Sequence, residues 1–263
     1  MNTEQAFDQY AAQYDEIFSN SDIGVAQRNQ VWERLTPYLK GGQHILEVNC
    51  GTGVDAIALA EKGIQVTATD LSPAMIEVGQ HKLQNRPSLR IQFKPLSFQQ
   101  LLPALEGEQF DLIFSNFGGL NCLSPKETYQ LNNDFAQMLL PGGYLALVYM
   151  SKHCIWEQFY HWCKGEFKIA KRRKQPMPIQ AKVGGKGIDT WYASIQQTLE
   201  YFPAFQLVEQ FPIGLFVPPS YLNPYFSNRP RVLNMLIKLD RHFALPAFAD
   251  YADHFMIILK RKI

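Results

Sequence analysis

No apolar run in this chain of 263 residues approaches the roughly 18 consecutive residues that a membrane-crossing helix needs, so no membrane span is expected. The opening, MNTEQAFDQY, is polar and acidic, with neither the basic n-region nor the apolar h-region of a secretory signal. That points to the cytoplasm. Net charge is only +1, too little for a global attraction to nucleic acid or to an anionic surface. Any electrostatic preference has to be local, and nucleic acid is not an expected partner. Cysteine is scarce: Cys50, Cys122, Cys154 and Cys163 are scattered along the chain, which fits free thiols in a reducing compartment. His153, Cys154, His161 and Cys163 lie near one another but without the spacing of a metal site, so no metal is expected; IWEQFYHWC reads instead as a packed aromatic helix. Internal repeats, low-complexity tracts and a nucleophile–base–acid triad are all missing.

Apolar residues make up 46% and charged residues 19%, enough to build a sizeable core and to exclude global disorder. Ala6, Phe7, Tyr10, Ala11, Tyr14, Ile17 and Phe18 recur at helical spacing, and a second helix is expected over 25–39. HILEV then reads as a buried strand, 52–62 as a helix, and QVTAT as the next strand. Ser72-Pro73 opens another helix, serine as N-cap and proline in the first turn. RIQFKP, FDLIFS and YLALVYM are further strands, with a helix over 125–140 before the last. Strands alternating with helices predict an α/β domain with a largely parallel sheet. Beyond Met150 the texture changes. A basic stretch at 164–174 is followed by prolines and by Gly184, Gly185 and Gly187, and 217–249 is rich in proline and aromatics. FQLVEQFPI and HFMIILKRK are strands able to complete the sheet. The expected organisation is an N-terminal helical cap (1–40), a nucleotide-binding core (41–150), and an insertion plus closing strands of the same sheet (151–263).

The densest signal runs from Ile45 to Asp70, ILEVNCGTGVDAIALAEKGIQVTATD. Gly51 and Gly53 sit between strand and helix, where glycine lets backbone approach a ligand and the helix N-terminus offers free N–H groups. Asp70 ends the second strand about 20 residues on, placed to accept both hydroxyl protons of a ribose. Gly51-x-Gly53-x-x-Ala56 also matches a dinucleotide fingerprint. Glu47, four residues before Gly51, argues against that: an acid there repels a pyrophosphate and favours a cationic ligand.

On these residues the chain resembles the class I S-adenosylmethionine-dependent methyltransferases of the small-molecule type, most specifically from Phe7 to Met150. The family's acid-x-Gly-x-Gly-x-Gly motif corresponds to Glu47-Val48-Asn49-Cys50-Gly51-Thr52-Gly53. Asn49 replaces the first glycine, and asparagine tolerates left-handed backbone better than most residues. The resemblance implies a Rossmann-like three-layer sandwich with a seven-stranded, mostly parallel sheet of order 3-2-1-4-5-7-6, the last-inserted strand antiparallel. It implies S-adenosylmethionine as cofactor, with Asp70 on the ribose, Leu71 and Met75 beside the adenine, Ser97 and Phe98 at the adenine edge, Asn116 and Phe117 near the methionine portion, and Tyr14 in a capping helix with Tyr10 and Asp15. Asn116 is the candidate for orienting an acceptor, and Asn121, Tyr149 and His153 are candidates for lining its pocket.

The expected activity is methyl transfer to an oxygen or nitrogen of a small molecule. Such chemistry rests on alignment and exclusion of water, and needs a base only if the nucleophile is protonated. The basic residues Lys171, Arg172, Arg173 and Lys174, in an insertion placed to act as a lid, suggest an acceptor with an acidic group or an anionic surface, and Phe216, Tyr221, Tyr225 and Phe226 suggest an apolar wall opposite. Two other readings stay open: an NAD(P)-dependent oxidoreductase, and a nucleotide fold kept as an interaction scaffold.

Overall fold

Alternating strands and helices run from His44 to Met150, as the periodicity predicts. The computed structural model describes residues 3–183 and 185–262; Gly184 lies outside them. Two helices lead in, α1 (Thr3–Tyr14) and α2 (Asp22–Leu35). Then follow β1 (His44–Val48), α3 (Val54–Glu61), β2 (Gln65–Asp70), α4 (Pro73–Leu83), β3 (Ile91–Pro95), a short α5 (Leu101–Ala104), β4 (Phe110–Ser115), α6 (Pro125–Met138) and β5 (Leu139–Met150). The remaining elements are α7 (Ile155–Cys163), α8 (Phe167–Ala170), β6 (Ile179–Val183), β7 (Lys186–Thr190), α9 (Ile195–Tyr201), β8 (Phe205–Ile213), α10 (Asn223–Phe226), α11 (Pro230–Phe243) and β9 (His254–Arg261).

Seven strands form one sheet in the order β3-β2-β1-β4-β5-β9-β8. The first five are mutually parallel, and β9 is antiparallel to both β5 and β8. This is the expected 3-2-1-4-5-7-6 order, with β8 and β9 as the sheet's sixth and seventh strands. The strands read as unbroken apolar runs because helices cover both faces. Alternation divides their side chains between two cores. Leu46, Ile113, Leu147, Ile257 and Phe135 fill one; Ile45, Leu112, Val148, Ile258 and Leu59 fill the other. By the same alternation Glu47 faces the side of Ile45, not of Leu46.

Helix starts follow local chemistry. Ser72 accepts from the Met75 N–H with Pro73 in the first turn, and Ser124 and Ser194 form reciprocal capping boxes with Glu127 and Gln197. Several elements differ from the sequence reading: α2 starts and ends earlier than 25–39, and α11 lies in a stretch given no helix. β5 begins at Leu139, through Pro141-Gly142-Gly143, because Leu139 pairs with Phe110 ahead of a register shift. The insertion contains a β6–β7 antiparallel hairpin, which packs against α1.

Candidate functional site

Ligands of open α/β sheets bind at the carboxyl edge, and here that edge gathers several predicted residues. Gly51 and Gly53 both have left-handed backbone, φ 54° and 74°. A Cβ on Gly53 would lie 2.4 Å from the Phe93 ring, so this glycine lets α3 close onto β3. The Gly51 N–H donates to Asp70 Oδ2 at 2.8 Å, and the Ser72 N–H donates to Asp70 Oδ1 at 2.9 Å. Asp70 therefore braces the turn, with one lone pair per oxygen left for a ligand. Burial pushes its carboxyl above the ordinary range, against the pull of these N–H groups. Glu47 is 2% exposed, and its Oε2 has no hydrogen-bond partner. Burial first, and the nearby Asp55 second, raise its carboxyl well above the ordinary value.

Asn49 has φ 50°, the left-handed conformation anticipated for a glycine replacement. Its side chain does more than tolerate that backbone. The amide donates to the Asn116 carbonyl at 2.6 Å, and the amide oxygen accepts from Ser115 Oγ at 2.6 Å, tying the turn after β1 to the end of β4. Asn49→Gly relieves the positive φ but breaks both bonds, each worth about 0.5–1.5 kcal/mol. The expected net loss is about 1–2 kcal/mol, read as a lower urea midpoint. An unchanged midpoint would mean that this bridge contributes nothing.

The Asn116 side chain donates to Asp55 Oδ2 at 2.9 Å and accepts from the Phe117 N–H. Asp55, in the first turn of α3, also accepts from Trp32 Nε1 at 2.8 Å and lies 3.3 Å from the Arg28 guanidinium. Phe117 has φ 40°, stands edge-on to Phe18 and His254, and lies under Arg28. Sequence reasoning missed Arg28, Trp32 and Asp55. An acid in a helix's first turn was visible, but its partners on α2 are brought to it only by folding.

α1 is latched over the glycine turn. Asp15 accepts from Thr52 Oγ1 at 2.5 Å and pairs with Lys82 at 2.5 Å. Burial opposes its charge, but the Lys82 and Thr52 bonds prevail and hold its carboxyl below the ordinary value. Asp8 accepts from Ser72 Oγ at 2.5 Å and from the Ala74 N–H. Tyr14 lies over Gly51, 3.7 Å from where a Cβ would stand, and packs with Tyr10 and Phe18. Met75 is 1% exposed on α4, and Leu71 follows Asp70 directly. The Leu96 N–H bonds the Asp70 carbonyl, which brings Ser97 beside the site. The Ser97 hydroxyl, however, is engaged with Gln100 in a capping box, and Phe98 packs against the first core. The structure thus brings Tyr14, Glu47, Asn49, Gly51, Gly53 and Asp70 around one turn, with Asn116 tied to it through Asn49 and Leu71 following Asp70 in the chain.

A cavity of about 110 Å³ opens beyond the ends of β4 and β5, lined by Leu120, Tyr149, Lys152, Trp191, Tyr192 and Tyr201 among others. Tyr149 is 2% exposed and its hydroxyl has no partner; burial raises its pKa far above the ordinary value. Asn121, expected to line the pocket, instead bonds the Met150 N–H and carbonyl and the Trp191 carbonyl, joining β5 to the chain after β7. The basic stretch is arranged otherwise than expected. Arg173 is buried between Glu157 and Asp253, at 3.0 and 2.9 Å, and Arg172 pairs with Glu157 at 2.7 Å. Only Lys171 and Lys174 of that quartet stay exposed and unspent. Phe226 packs into a third core with Ile23, Val217 and Leu233. Among the described residues no cluster of histidine, cysteine and acid side chains is arranged to hold a metal, and no helix is long and apolar enough to cross a membrane.

The sheet order β3-β2-β1-β4-β5-β9-β8 is that of the Rossmann-like methyltransferase fold. Residues 45–143 match the family model of the methyltransferase domain. A demethylmenaquinone methyltransferase of Clavibacter sepedonicus is 28% identical over 144 residues, 54% of this chain and 55% of that protein. The chain thus matches about half the length of that relative. The corresponding enzyme of Symbiobacterium thermophilum is 28% identical over 231 residues, 82% of this chain and 85% of its own. Among solved structures, the N-methyltransferase NodS of Bradyrhizobium japonicum with S-adenosyl-L-homocysteine superposes with a TM-score of 0.62 at 14% identity, covering 100% of both chains. The fold is that of the S-adenosylmethionine-dependent methyltransferases.

Proposed function

We propose that this protein transfers a methyl group from S-adenosylmethionine to an oxygen or nitrogen atom of a small molecule. The observation that carries the reading is Glu47: a buried carboxylate with an unpartnered oxygen beside the glycine turn. Burying such a group uncompensated is costly, and a cationic ligand supplies the missing partner. Glu47, Asp70, Asp55, Asp15 and Asp8 around one turn, against Arg28 and Lys82, would repel the two phosphates of a nicotinamide dinucleotide.

When bound, S-adenosylmethionine supplies a methyl group already activated on a cationic sulfur. Asp70 would hold the ribose hydroxyls, Glu47 the cationic amino-acid end, Met75 and Leu71 the adenine, and Tyr14 would exclude water from above. Ser97 is the weakest of the expected contacts, because its hydroxyl already serves a cap. Asn116, held by Asp55, positions the turn after β4, so any orienting role falls to its backbone and to Phe117. The cavity beneath Trp191 seats the acceptor. Its aromatic lining suits a planar group, and Tyr149 and Lys152 offer a hydroxyl and an ammonium to a polar or acidic substituent. Proximity and orientation then provide most of the rate.

Calorimetry tests this directly. S-adenosylmethionine or S-adenosyl-L-homocysteine should bind in the micromolar range, about −8 kcal/mol, and NAD should not. A cation bound at Glu47 favours its ionised form, so binding should release a proton and tighten as pH rises through the raised value of the free protein. Glu47→Gln should remove the Glu47 share of the pH dependence, leaving that of Asp70, and about 1.5–3 kcal/mol of affinity. Tighter binding of NAD would sink the methyltransferase reading.

A further inference from the structure

Helix α7 turns one face to solvent that its sequence would lead one to bury. Trp156 and Tyr160 pack into the third core, and Glu157 is enclosed with Arg173. Ile155, Phe159 and Trp162, spaced i, i+4 and i+7, share the opposite face and are 45%, 63% and 60% exposed. Phe167 and Ile169 on the adjoining α8 add 61% and 39%. Five large apolar side chains on two neighbouring helices exceed the scattered exposure of an ordinary surface. Lys164, Lys168, Lys171 and Lys174 are all exposed among or beside them. The acids of this stretch are Glu157 and Glu166; the first pairs with Arg172 and Arg173, and the second hydrogen-bonds His161 at 2.6 Å, against four exposed lysines. The net charge of the whole chain is only +1, so this positive apolar patch is a local construction.

We infer that α7 and α8 form a docking surface for an anionic lipid bilayer. Aromatic side chains flanked by lysines are the composition of interfacial, non-spanning helices. The rings enter the headgroup boundary, while long lysine stems lie along them and hold their ammonium groups at phosphate level. The buried Glu157–Arg173–Asp253 cluster fixes the base of the patch, so the exposed side chains are presented by a rigid support. A second copy of the chain suits the surface poorly, because a self-complementary contact would set lysines against lysines.

Co-sedimentation of the full chain with vesicles decides the matter, comparing phosphatidylcholine alone with equal parts phosphatidylcholine and phosphatidylglycerol. The protein should pellet with the mixed vesicles and be released by high salt. Phe159→Ser with Trp162→Ser should lower the partition coefficient at least tenfold, as should Lys168→Ser with Lys171→Ser on the anionic vesicles. Melting temperature and cofactor affinity should be unchanged in both variants, since none of these side chains touches the glycine turn. Failure to pellet, equal pelleting with neutral vesicles, or a lipid-free dimer abolished by the aromatic substitutions would each overturn the inference. The last result would assign the patch to a second copy.

Discussion

Asp70→Ala should weaken binding of S-adenosylmethionine about a hundredfold or more, the largest loss from any single change at the candidate site. Two effects add. A charge-assisted contact to ribose hydroxyls is worth about 1.5–3 kcal/mol. The same carboxylate also accepts from Gly51 and Ser72, and deleting it leaves two N–H groups at the turn without an acceptor, at about 1–3 kcal/mol for each that stays buried. Part of the second cost falls on the free protein as a loosened turn. Stability should therefore drop together with affinity. Asp70→Asn separates the two effects: it keeps one acceptor oxygen but sets an amide N–H₂ against one of the two donors, so it should lie between wild type and Ala. Because burial raises the Asp70 carboxyl, wild-type affinity should also fall as pH drops through that raised value, where the acceptor is protonated. Calorimetry of the three proteins, with circular dichroism to check the fold, measures this. Unimpaired binding by a folded Asp70→Ala protein would reduce the acid to a brace for the turn.

The succession of β1 to β5 along the chain was readable from strands alternating with helices, while their order in the sheet came from the family resemblance. Ser72-Pro73 marked the start of α4, and HFMIILKRK was legible as a strand able to complete the sheet because of its apolar run, which the structure buries between β5 and β8. β6 and β7 were not readable. IQAKV and KGIDT have little apolar alternation, and their hairpin is supported by its contact with α1. α11 was hidden for another reason. Its stripe of Leu233, Leu236 and Ile237 is sound, but prolines and aromatics on either side gave 217–249 the texture of a loop. α7 misled in the opposite sense: an aromatic-rich helix reads as core, and half of its large side chains face solvent.

The glycine turn and its acids were visible because their spacing is local. What surrounds them was not. Asp55 finds Arg28 and Trp32 through the packing of α2 on α3, and Lys82 reaches Asp15 and Thr52 from the far end of α4. Neither pairing leaves a periodic trace. The basic stretch shows how charge alone can mislead. Read along the sequence, 171–174 is four adjacent cations; in space, one of them is among the most deeply buried charges of the molecule.

That burial sets the second large effect. Arg173 is 6% exposed, donates to both Glu157 and Asp253 and to the carbonyls of Ser151 and Asp253, and so joins the end of β5, α7, the basic segment and the start of β9. Glu157→Ala removes one of its two counterions and leaves Arg172 unpaired. Breaking a buried pair from one side costs about 3–5 kcal/mol, because the remaining charge is still desolvated. The urea midpoint should fall accordingly, and trypsin should cut 164–187 faster, since this segment loses its anchor. Cofactor affinity should barely change. Replacing the three buried charges together, Glu157→Met, Arg173→Met and Asp253→Asn, leaves neither Arg173 nor Asp253 stranded and should recover part of the loss. The pH dependence follows the same charges. Burial opposes ionisation of Glu157, but Arg172 and Arg173 prevail and lower its carboxyl below the ordinary value of 4.5. A depressed acid stabilises the fold above its unfolded value, and that stability is lost as pH falls through the folded one. Wild type should therefore lose stability on acidification more steeply than Glu157→Ala, with the two curves converging at low pH. Parallel curves, or a triple variant no better than the single one, would show that the cluster contributes shape and not charge.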